Sequence, residues 1–329
     1  MKAIQEIDLS IVIVSWNCRD YLVKCLESIR LMKDEIVNEI IVVDNNSNDG
    51  TISLIKSKYP EVIYIENHTN IGFPAANNQG FNMAMGRYIL ALNPDTEVSS
   101  GAFEIPVKYL DANKSYGCVG IKQLKPNGAI NYQGGRNYNT IPNTLSQFLY
   151  LDKLFPHSKL LGNRDMTYWD HDSDLDVEVT SGAFMLFSRE VYEKLGGLST
   201  LLPMYLEDGE FCYRMNKNGY KIRYLASVYF THHTNKSSDH ANLMKISFML
   251  FESVFQFLRI REGKRNAWIF VWAFFLIFPL RILMLPVICA GQYYKKKEIK
   301  FIKLVFEIIS SLLWTLVKIL NIKYKYSFD

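Results

Sequence analysis

Unbroken apolar runs, rather than alternating ones, set the rhythm of the first part of the chain. Leu9-Ser10-Ile11-Val12-Ile13-Val14-Ser15 is a β-branched run without interruption, the pattern of a strand covered on both faces. Trp16-Asn17 end it, and a helix is expected over residues 21–30. The run repeats at residues 40–43 and ends in Asp44-Asn45-Asn46-Ser47-Asn48-Asp49-Gly50-Thr51. That polar cluster can cap a second helix reaching about Tyr59. A third short strand is predicted at residues 62–65.

The third strand leads into the stretch on which the reading turns, residues 70–96. Asn70-Ile71-Gly72-Phe73 supplies a turn and residues 75–85 a helix. The apolar strand Tyr88–Leu92 then delivers Asn93-Pro94-Asp95-Thr96 at its C-terminal end. A helix at 102–113 and a strand at 117–121 follow. Strands alternating with helices imply βαβ units and a mostly parallel sheet flanked by helices, an α/β fold.

Residues 123–175 are rich in Asn, Gly, Pro and Tyr and lack a clear period. They read as excursions with a hairpin at Pro126-Asn127-Gly128, and Tyr132, Gln133 and Arg136 within them could meet a second substrate by position alone. Order returns with a strand at 181–187 and a helix at Arg189–Leu195 stopped by Gly196-Gly197. A helix from Glu207 to Asn218 and strand segments at 221–225 and 228–230 then lead into Thr231-His232-His233.

From about Leu243 the chain is mainly apolar, yet charges keep interrupting it. The apolar run 267–280 falls short of the roughly 20 residues a straight span needs, and Arg281 follows at once. An arginine at mid-bilayer costs about 2.5–3.5 kcal/mol on insertion scales. A simple span is disfavoured, and a re-entrant hairpin at 267–292 stays open. At 300–320, Lys300, Lys303, Glu307, Ser310, Ser311 and Lys318 make a narrow polar stripe on an otherwise apolar helix. This predicts a helix lying in a membrane interface, with lysines reaching the headgroups. The alternative is a helix packed on the preceding domain.

Composition narrows the classes. A chain of 329 residues accommodates one large α/β domain and an appendage. The expected division is a domain over residues 1–240, with halves at about 1–122 and 123–240, and a helical membrane-associating region over 241–329. A formal net charge of +4 is too mild to indicate nucleic acid, and the late cluster Lys295-Lys296-Lys297 suits an anionic membrane surface. Five cysteines with no CxxC pair indicate neither a disulfide framework nor a zinc knuckle and fit a reducing compartment. The apolar run at 9–14 follows Glu6 and Asp8 and reads as a strand, not a signal peptide.

Asp44 and Asp95 both fall at C-terminal ends of predicted parallel strands, where open α/β sheets bind ligands. Asp44 reads equally well as a helix cap. Neither GxGxxG nor GxxxxGK[ST] occurs, so a nucleotide must be held another way. A divalent cation on Asp95 bridging a diphosphate is the economical solution.

At this point six segments, in order, resemble family 2 inverting glycosyltransferases. They are Ser10–Asn17, Val42–Thr51, Asn70–Gly80, Leu92–Thr96, Ser181–Phe187 and Glu207–Arg214. The similarity covers about residues 8–238 and is greatest to rhamnosyltransferase-type enzymes of bacterial surface polysaccharides. It implies a GT-A fold with a nucleotide-binding sheet merged with an acceptor-binding half. Ser15, Asn17, Asp44, Asn70, Gly72, Phe73, Asn78 and Asn93 would then lie at or support the donor nucleotide. Asp95 would ligate Mg2+ or Mn2+, aided by His232 or His233, with the choice between them open. Asp208 would be the general base.

The resemblance further implies a nucleotide-diphosphate sugar donor, dTDP- or UDP-linked, and a polyprenyl-diphosphate-linked saccharide acceptor. It places the reaction at the cytoplasmic face of the membrane. Like charges at Glu207 and Glu210 are expected to raise the Asp208 pKa, against the pull of its helix N-terminus. A non-catalytic nucleotide-binding or scaffold subunit of a polysaccharide assembly complex is the competing reading.

Overall fold

The computed structural model describes residues 6–32, 36–202, 205–233, 243–284, 286 and 301–320. The first half follows the apolar pattern closely. In chain order it runs β1 (Leu9–Ser15), α1 (Arg19–Arg30), β2 (Asn38–Asp44), α2 (Thr51–Lys58), β3 (Ile63–Glu66), α3 (Phe73–Met83) and β4 (Tyr88–Leu92). Then come β5 (Thr96–Val98), α4 (Glu104–Ala112) and β6 (Tyr116–Leu124). β1 pairs in parallel with β2 on one side and β4 on the other, placing Ser15 beside Asp44.

Because successive side chains point to opposite faces, β1 feeds two cores at once. Ile11 and Ile13 join Leu22, Leu26 and Ile55 beneath α1 and α2, whereas Val12 and Val14 join Ala76 and Phe81 beneath α3. Gly80 lets α3 lie against β1, since a Cβ there would sit 2.2 Å from Val12 Cγ1.

The middle of the chain departs from expectation. β7 (Gly135–Arg136), α5 (Ile141–Phe148), α6 (Leu151–Leu154) and the start of β8 (Leu175–Asp176) occupy the stretch read as irregular, and β9 (Val179–Thr180) follows it. α5 has a reciprocal cap, with the Asn143 amide donating to Thr140 Oγ1 and the Thr140 amide to Asn143 Oδ1. Such caps fix a short helix that carries too few turns to show a period. The hairpin at Pro126-Asn127-Gly128 is present, with Gly128 in the left-handed region and Leu124 bridged to Ile130.

β10 (Phe184–Ser188), α7 (Arg189–Leu195), α8 (Glu207–Lys217) and β11 (Lys221–His232) complete the domain. The two segments expected at 221–225 and 228–230 are one strand with an irregularity between Leu225 and Tyr229. Among the described residues nine strands form one sheet in the order β3-β2-β1-β4-β10-β6-β11-β5, with β8 on β11. The sheet is mostly parallel but mixed, because β10 runs antiparallel between β4 and β6 and β5 antiparallel to β11.

The C-terminal helices are α9 (Leu243–Glu262), α10 (Lys264–Leu276), α11 (Phe278–Leu283) and α12 (Phe301–Ile319). Phe257, Phe270, Phe274 and Trp314 share one core with Tyr138, Phe148 and the α3 side of the sheet. Arg281 is buried with its guanidinium 3.9 Å from the Phe148 ring centroid, which gives this arginine an intramolecular role.

The polar stripe of α12 corrects the sequence reading. Ser310 and Ser311 are fully buried, while Ile309 and Leu313 face outward. Lys318 ion-pairs with Glu252 of α9. The described part of the stripe, Ser310, Ser311 and Lys318, is therefore a packing seam. Lys295–Lys297, Lys300, Cys289 and the side chains of Lys303 and Glu307 lie outside the described residues. No described helix is long and apolar enough to cross a membrane.

Candidate active site

The C-terminal ends of β1, β2 and β4 form one edge, and the predicted donor-side residues gather along it. Ser15 is buried at the end of β1. Asn17, in the left-handed region, accepts the Asn48 amide on its side chain at 2.7 Å and donates its own amide to Ser47 Oγ. These bonds stitch the β1 and β2 loops together. Asp44 accepts the Ser47 amide on Oδ2 at 2.9 Å. Its Oδ1 is buried and, among the described residues, has no hydrogen-bond partner. Burial raises the Asp44 pKa against the Ser47 contact, so Oδ1 is a buried acceptor in need of a donor.

Asn70 Oδ1 accepts from Asn45 Nδ2 at 2.7 Å and from the Gly72 amide at 3.0 Å. Gly72 has a φ of +86°, which only glycine adopts without strain, and Phe73 begins α3. Asn78 is placed differently from the others. Its side chain bonds both the amide and the carbonyl of Leu198, which ties α3 to the turn after α7.

β4 brings Asn93 and Asp95 to the same edge, and β11, paired with β5, brings the histidines. His232 Nε2 lies 3.0 Å from the buried Asp95 Oδ1. Asn93 Nδ2 is 3.4 Å from the same ring nitrogen, and Gln123 Nε2 is 2.7 Å from Nδ1. His233 turns away, with Nε2 2.6 Å from Glu97 Oε1 and its ring 5.3 Å from that of Tyr21. Its amide nevertheless donates to the Asp95 carbonyl at 2.9 Å.

The Asp95–His232 pair fits a hard divalent cation. Two neighbouring ligands of an octahedral ion at about 2.1 Å stand about 3.0 Å apart. Half a turn of the Gln123 amide directs its oxygen, otherwise buried and unpartnered, at Nδ1–H and frees the Nε2 lone pair. Among the described residues no three His, Cys, Asp or Glu side chains come together as a metal site. Asp95 and His232 would hold such a cation together with donor phosphate and water, the oxygen of Asp95 being the harder ligand of the two.

Asp208 comes from the far half, on the first turn of α8. Tyr205 and Leu206 immediately before it both have positive φ, of 67° and 63°, an uncommon pair for bulky residues. Asp208 is buried and accepts three hydrogen bonds: from Arg136 Nη2 at 2.8 Å, the Gly182 amide at 3.0 Å and the Gly209 amide at 2.7 Å. Burial alone would raise its pKa, but the buried Arg136 guanidinium and the two amides outweigh that and hold it below the ordinary carboxylate value.

The upward shift expected at Asp208 falls on its neighbour. Glu207 is pushed up to about 8, first by burial and then by the Asp208 charge. Its Oε2 is buried without a partner among the described residues. Glu210 instead pairs with Arg214 at 2.8 Å. Cys212 is fully buried, its thiol pushed up to about 12 by burial, and packs in the core.

Sequence reasoning does not assign Gln123 and Glu207 to the site, and it places Arg136 only among residues of the irregular middle that could meet the acceptor, not beside Asp208. Gln123 sits at the end of β6, where register with β11 brings it near His232. Arg136 follows Gly134-Gly135 in a stretch without periodicity. Only pairing across the sheet reveals either contact.

The mixed sheet, with acidic side chains on the edge made by the ends of β2 and β4, is a fold of GT-A type. Residues 10–196, more than half of the chain, match glycosyl transferase family 2, and the chain belongs to that family.

Among curated relatives, it is 24% identical over 247 residues to the N-acetylglucosaminyl-diphospho-decaprenol L-rhamnosyltransferase of Mycobacterium tuberculosis, covering 70% of this chain and 77% of that one. It is 25% identical over 240 residues to rhamnosyltransferase WbbL of Escherichia coli, covering 69% and 85%. A shorter match, 34% over 112 residues, is to the minor teichoic acid biosynthesis protein GgaB of Bacillus subtilis. It spans 33% of this chain and only 12% of that protein.

Solved structures agree on the fold. The mannosyltransferase PcManGT of Pyrobaculum calidifontis, in complex with GDP-Man and Mn2+, aligns with a TM-score of 0.57 at 16% identity, covering 96% of this chain and 88% of that one. GalNAc-T7 with UDP, GalNAc and Mn2+ aligns with a TM-score of 0.56 at 18% identity, covering 78% and 48%.

Proposed function

We propose that this chain is a metal-dependent inverting glycosyltransferase. It moves a sugar, rhamnose in preference, from a dTDP- or UDP-linked donor to a saccharide carried on a polyprenyl diphosphate. The work is done at the cytoplasmic face of a membrane, to which the chain attaches peripherally, in the assembly of a surface polysaccharide. The observation that carries the reading is the pairing of Asp95 with His232 at the edge that also presents Asp44, together with an ionised Asp208 held from the other half.

Asp95 and His232 would hold Mg2+ or Mn2+ against the donor phosphates. When bound, the cation stabilises the departing diphosphate as a Lewis acid. Asp44 Oδ1 accepts a hydrogen bond from the donor's ribose or base, the partner it lacks among the described residues. The Asn70–Gly72 turn shapes the wall beside it. Asp208 takes the proton from the acceptor hydroxyl as that oxygen attacks the anomeric carbon. Rhamnose rests on what the two rhamnosyltransferase relatives are called, the lipid carrier on the decaprenol in the name of the Mycobacterium tuberculosis relative, and the cation on the residues present and the Mn2+ of the structural neighbours.

The test is a donor screen with dTDP- and UDP-sugars and Mn2+ on a lipid-linked acceptor, run with wild type and Asp208→Asn. Transfer nearly abolished by the substitution is the expected result, and unchanged turnover removes Asp208 from the mechanism. Nucleotide- and metal-dependent stabilisation without transfer from any donor would favour the scaffold reading, against which the pairing of Asp95 and Asp208 in one fold argues.

A further inference from the structure

The C-terminal helices are apolar on two sides. Their inner side packs Phe255, Phe257, Phe270, Phe274 and Trp314 into the domain core, with Glu252, Ser253, Ser310, Ser311 and Thr315 buried in a narrow seam among them. Within it Lys318 Nζ lies 2.6 Å from Glu252 Oε2, and Trp314 Nε1 donates to the same oxygen at 3.3 Å. The outward face is apolar. Ile269, Trp272, Leu276, Leu280 and Leu283 recur every three or four residues along α10 and α11 and are 45%, 50%, 73%, 47% and 74% exposed. No charged side chain interrupts that stripe, because Arg281 points inward. α12 repeats the pattern with Ile309 and Leu313 outward.

A domain surrounded by water places its apolar side chains inside and its polar ones outside. A second apolar stripe on the outside is favourable where it meets hydrocarbon. Fifteen residues from Ile269 to Leu283 rise about 21 Å along a helix, too short to cross a bilayer but long enough to lie in its surface. Lys264 and Arg265 are exposed at the start of α10, and the cluster Lys295-Lys296-Lys297 follows α11 in sequence. Lys264 and Arg265 beside the stripe complement anionic headgroups, and Trp272 is the residue type that settles at the headgroup level.

We propose that the α10–α11 stripe docks flat into the outer part of an anionic lipid leaflet. The inference deepens the proposed function and rests on it for its purpose, since a polyprenyl-linked acceptor never leaves the bilayer. The face is not the one the sequence favoured, which was the apolar side of the helix at 300–320 with its lysines reaching the headgroups.

The experiment is co-sedimentation of the full chain with vesicles of phosphatidylcholine alone or mixed with phosphatidylglycerol. The mixed vesicles are expected to bind the protein, and Leu276→Glu with Leu283→Glu is expected to weaken binding about tenfold or more. Lys264→Glu with Arg265→Glu should remove the preference for the anionic lipid. All four side chains are exposed, so both variants should keep the wild-type melting temperature and transfer to a water-soluble acceptor analogue at the wild-type rate.

Wild-type protein left in the supernatant with mixed vesicles, or an apolar-face variant that sediments as wild type does, overturns the proposal. So does a dimer seen by light scattering that the Leu276→Glu, Leu283→Glu variant dissolves, because the face is then an interface between copies. Vesicle binding without transfer from any donor sinks the functional reading and leaves the docking face standing. Transfer to the soluble analogue without vesicle binding does the reverse.

Discussion

Arg136→Met is the substitution that most directly probes how the base is held. It removes the charged one of the three donors on Asp208 and leaves the Gly182 and Gly209 amides at 3.0 and 2.7 Å. Breaking a buried pair from one side costs about 3–5 kcal/mol. The two remaining amides place this case at the lower end, about 3 kcal/mol at pH 7. Asp208 has a depressed pKa in the folded wild type. Its contribution is therefore present above the unfolded carboxylate pKa and is lost as pH falls through the folded value.

In the variant, burial and the neighbouring Glu207 act on Asp208 without the guanidinium, and its pKa rises. The stability gap between wild type and variant then narrows as pH falls and the variant's carboxyl takes up a proton. Urea unfolding at pH 5 and pH 7 measures the gap, and the acidic limb of kcat/KM reports the base. That limb is expected to move up in pH in Arg136→Met. A gap under about 1 kcal/mol at pH 7, or acidic limbs that coincide, would refute Arg136 as the group that keeps Asp208 ionised.

Two further outcomes follow from the same geometry. Glu207 has a raised folded pKa of about 8, so the unfolded chain loses this proton first and the native state is penalised progressively as pH rises towards 8. Glu207→Gln should therefore stabilise the protein by about 1–3 kcal/mol at pH 8 and by much less at pH 5; equal shifts in Tm at both pH values would contradict this. With UDP and Mn2+ at about a hundredfold excess over Kd, binding adds about 2.7 kcal/mol of stability. His232→Ala should lose the Mn2+-dependent part of that gain and His233→Ala should keep it, whereas the opposite result assigns the cation to His233.

Elements buried on both faces were legible in the sequence because their whole composition is apolar. Tyr88–Leu92 has the expected bounds, and β1 and β2 fall within two residues of theirs. The order of six short segments carried the family. The antiparallel strand β10 was legible as a strand but not in direction, since direction depends on pairing with Leu92 and Val119 far along the chain. α5 was hidden because a two-turn helix fixed by Thr140 and Asn143 leaves no period to read.

The electrostatics of the site were the least legible part. Glu207 and Glu210 stand near Asp208 in sequence, yet the dominant opposing charge, Arg136, is 72 residues away. The orientation of α12 was misread for a related reason. Serines look like surface residues until a neighbouring helix with Glu252 is placed against them.

The insertion of β10 between β4 and β6 bears on how the chain is made. β4 is an entirely buried strand, Tyr-Ile-Leu-Ala-Leu, and the backbone that covers its second edge is not synthesised until Ser188. A nascent chain that has emerged only to residue 122 therefore presents an apolar strand with an open edge, the kind of surface that pairs with other chains. The two halves of the domain are interlocked in one sheet. An expression truncation or a chimera cut near residue 122 should give aggregates, and exchange of acceptor halves between relatives must carry β10 with them.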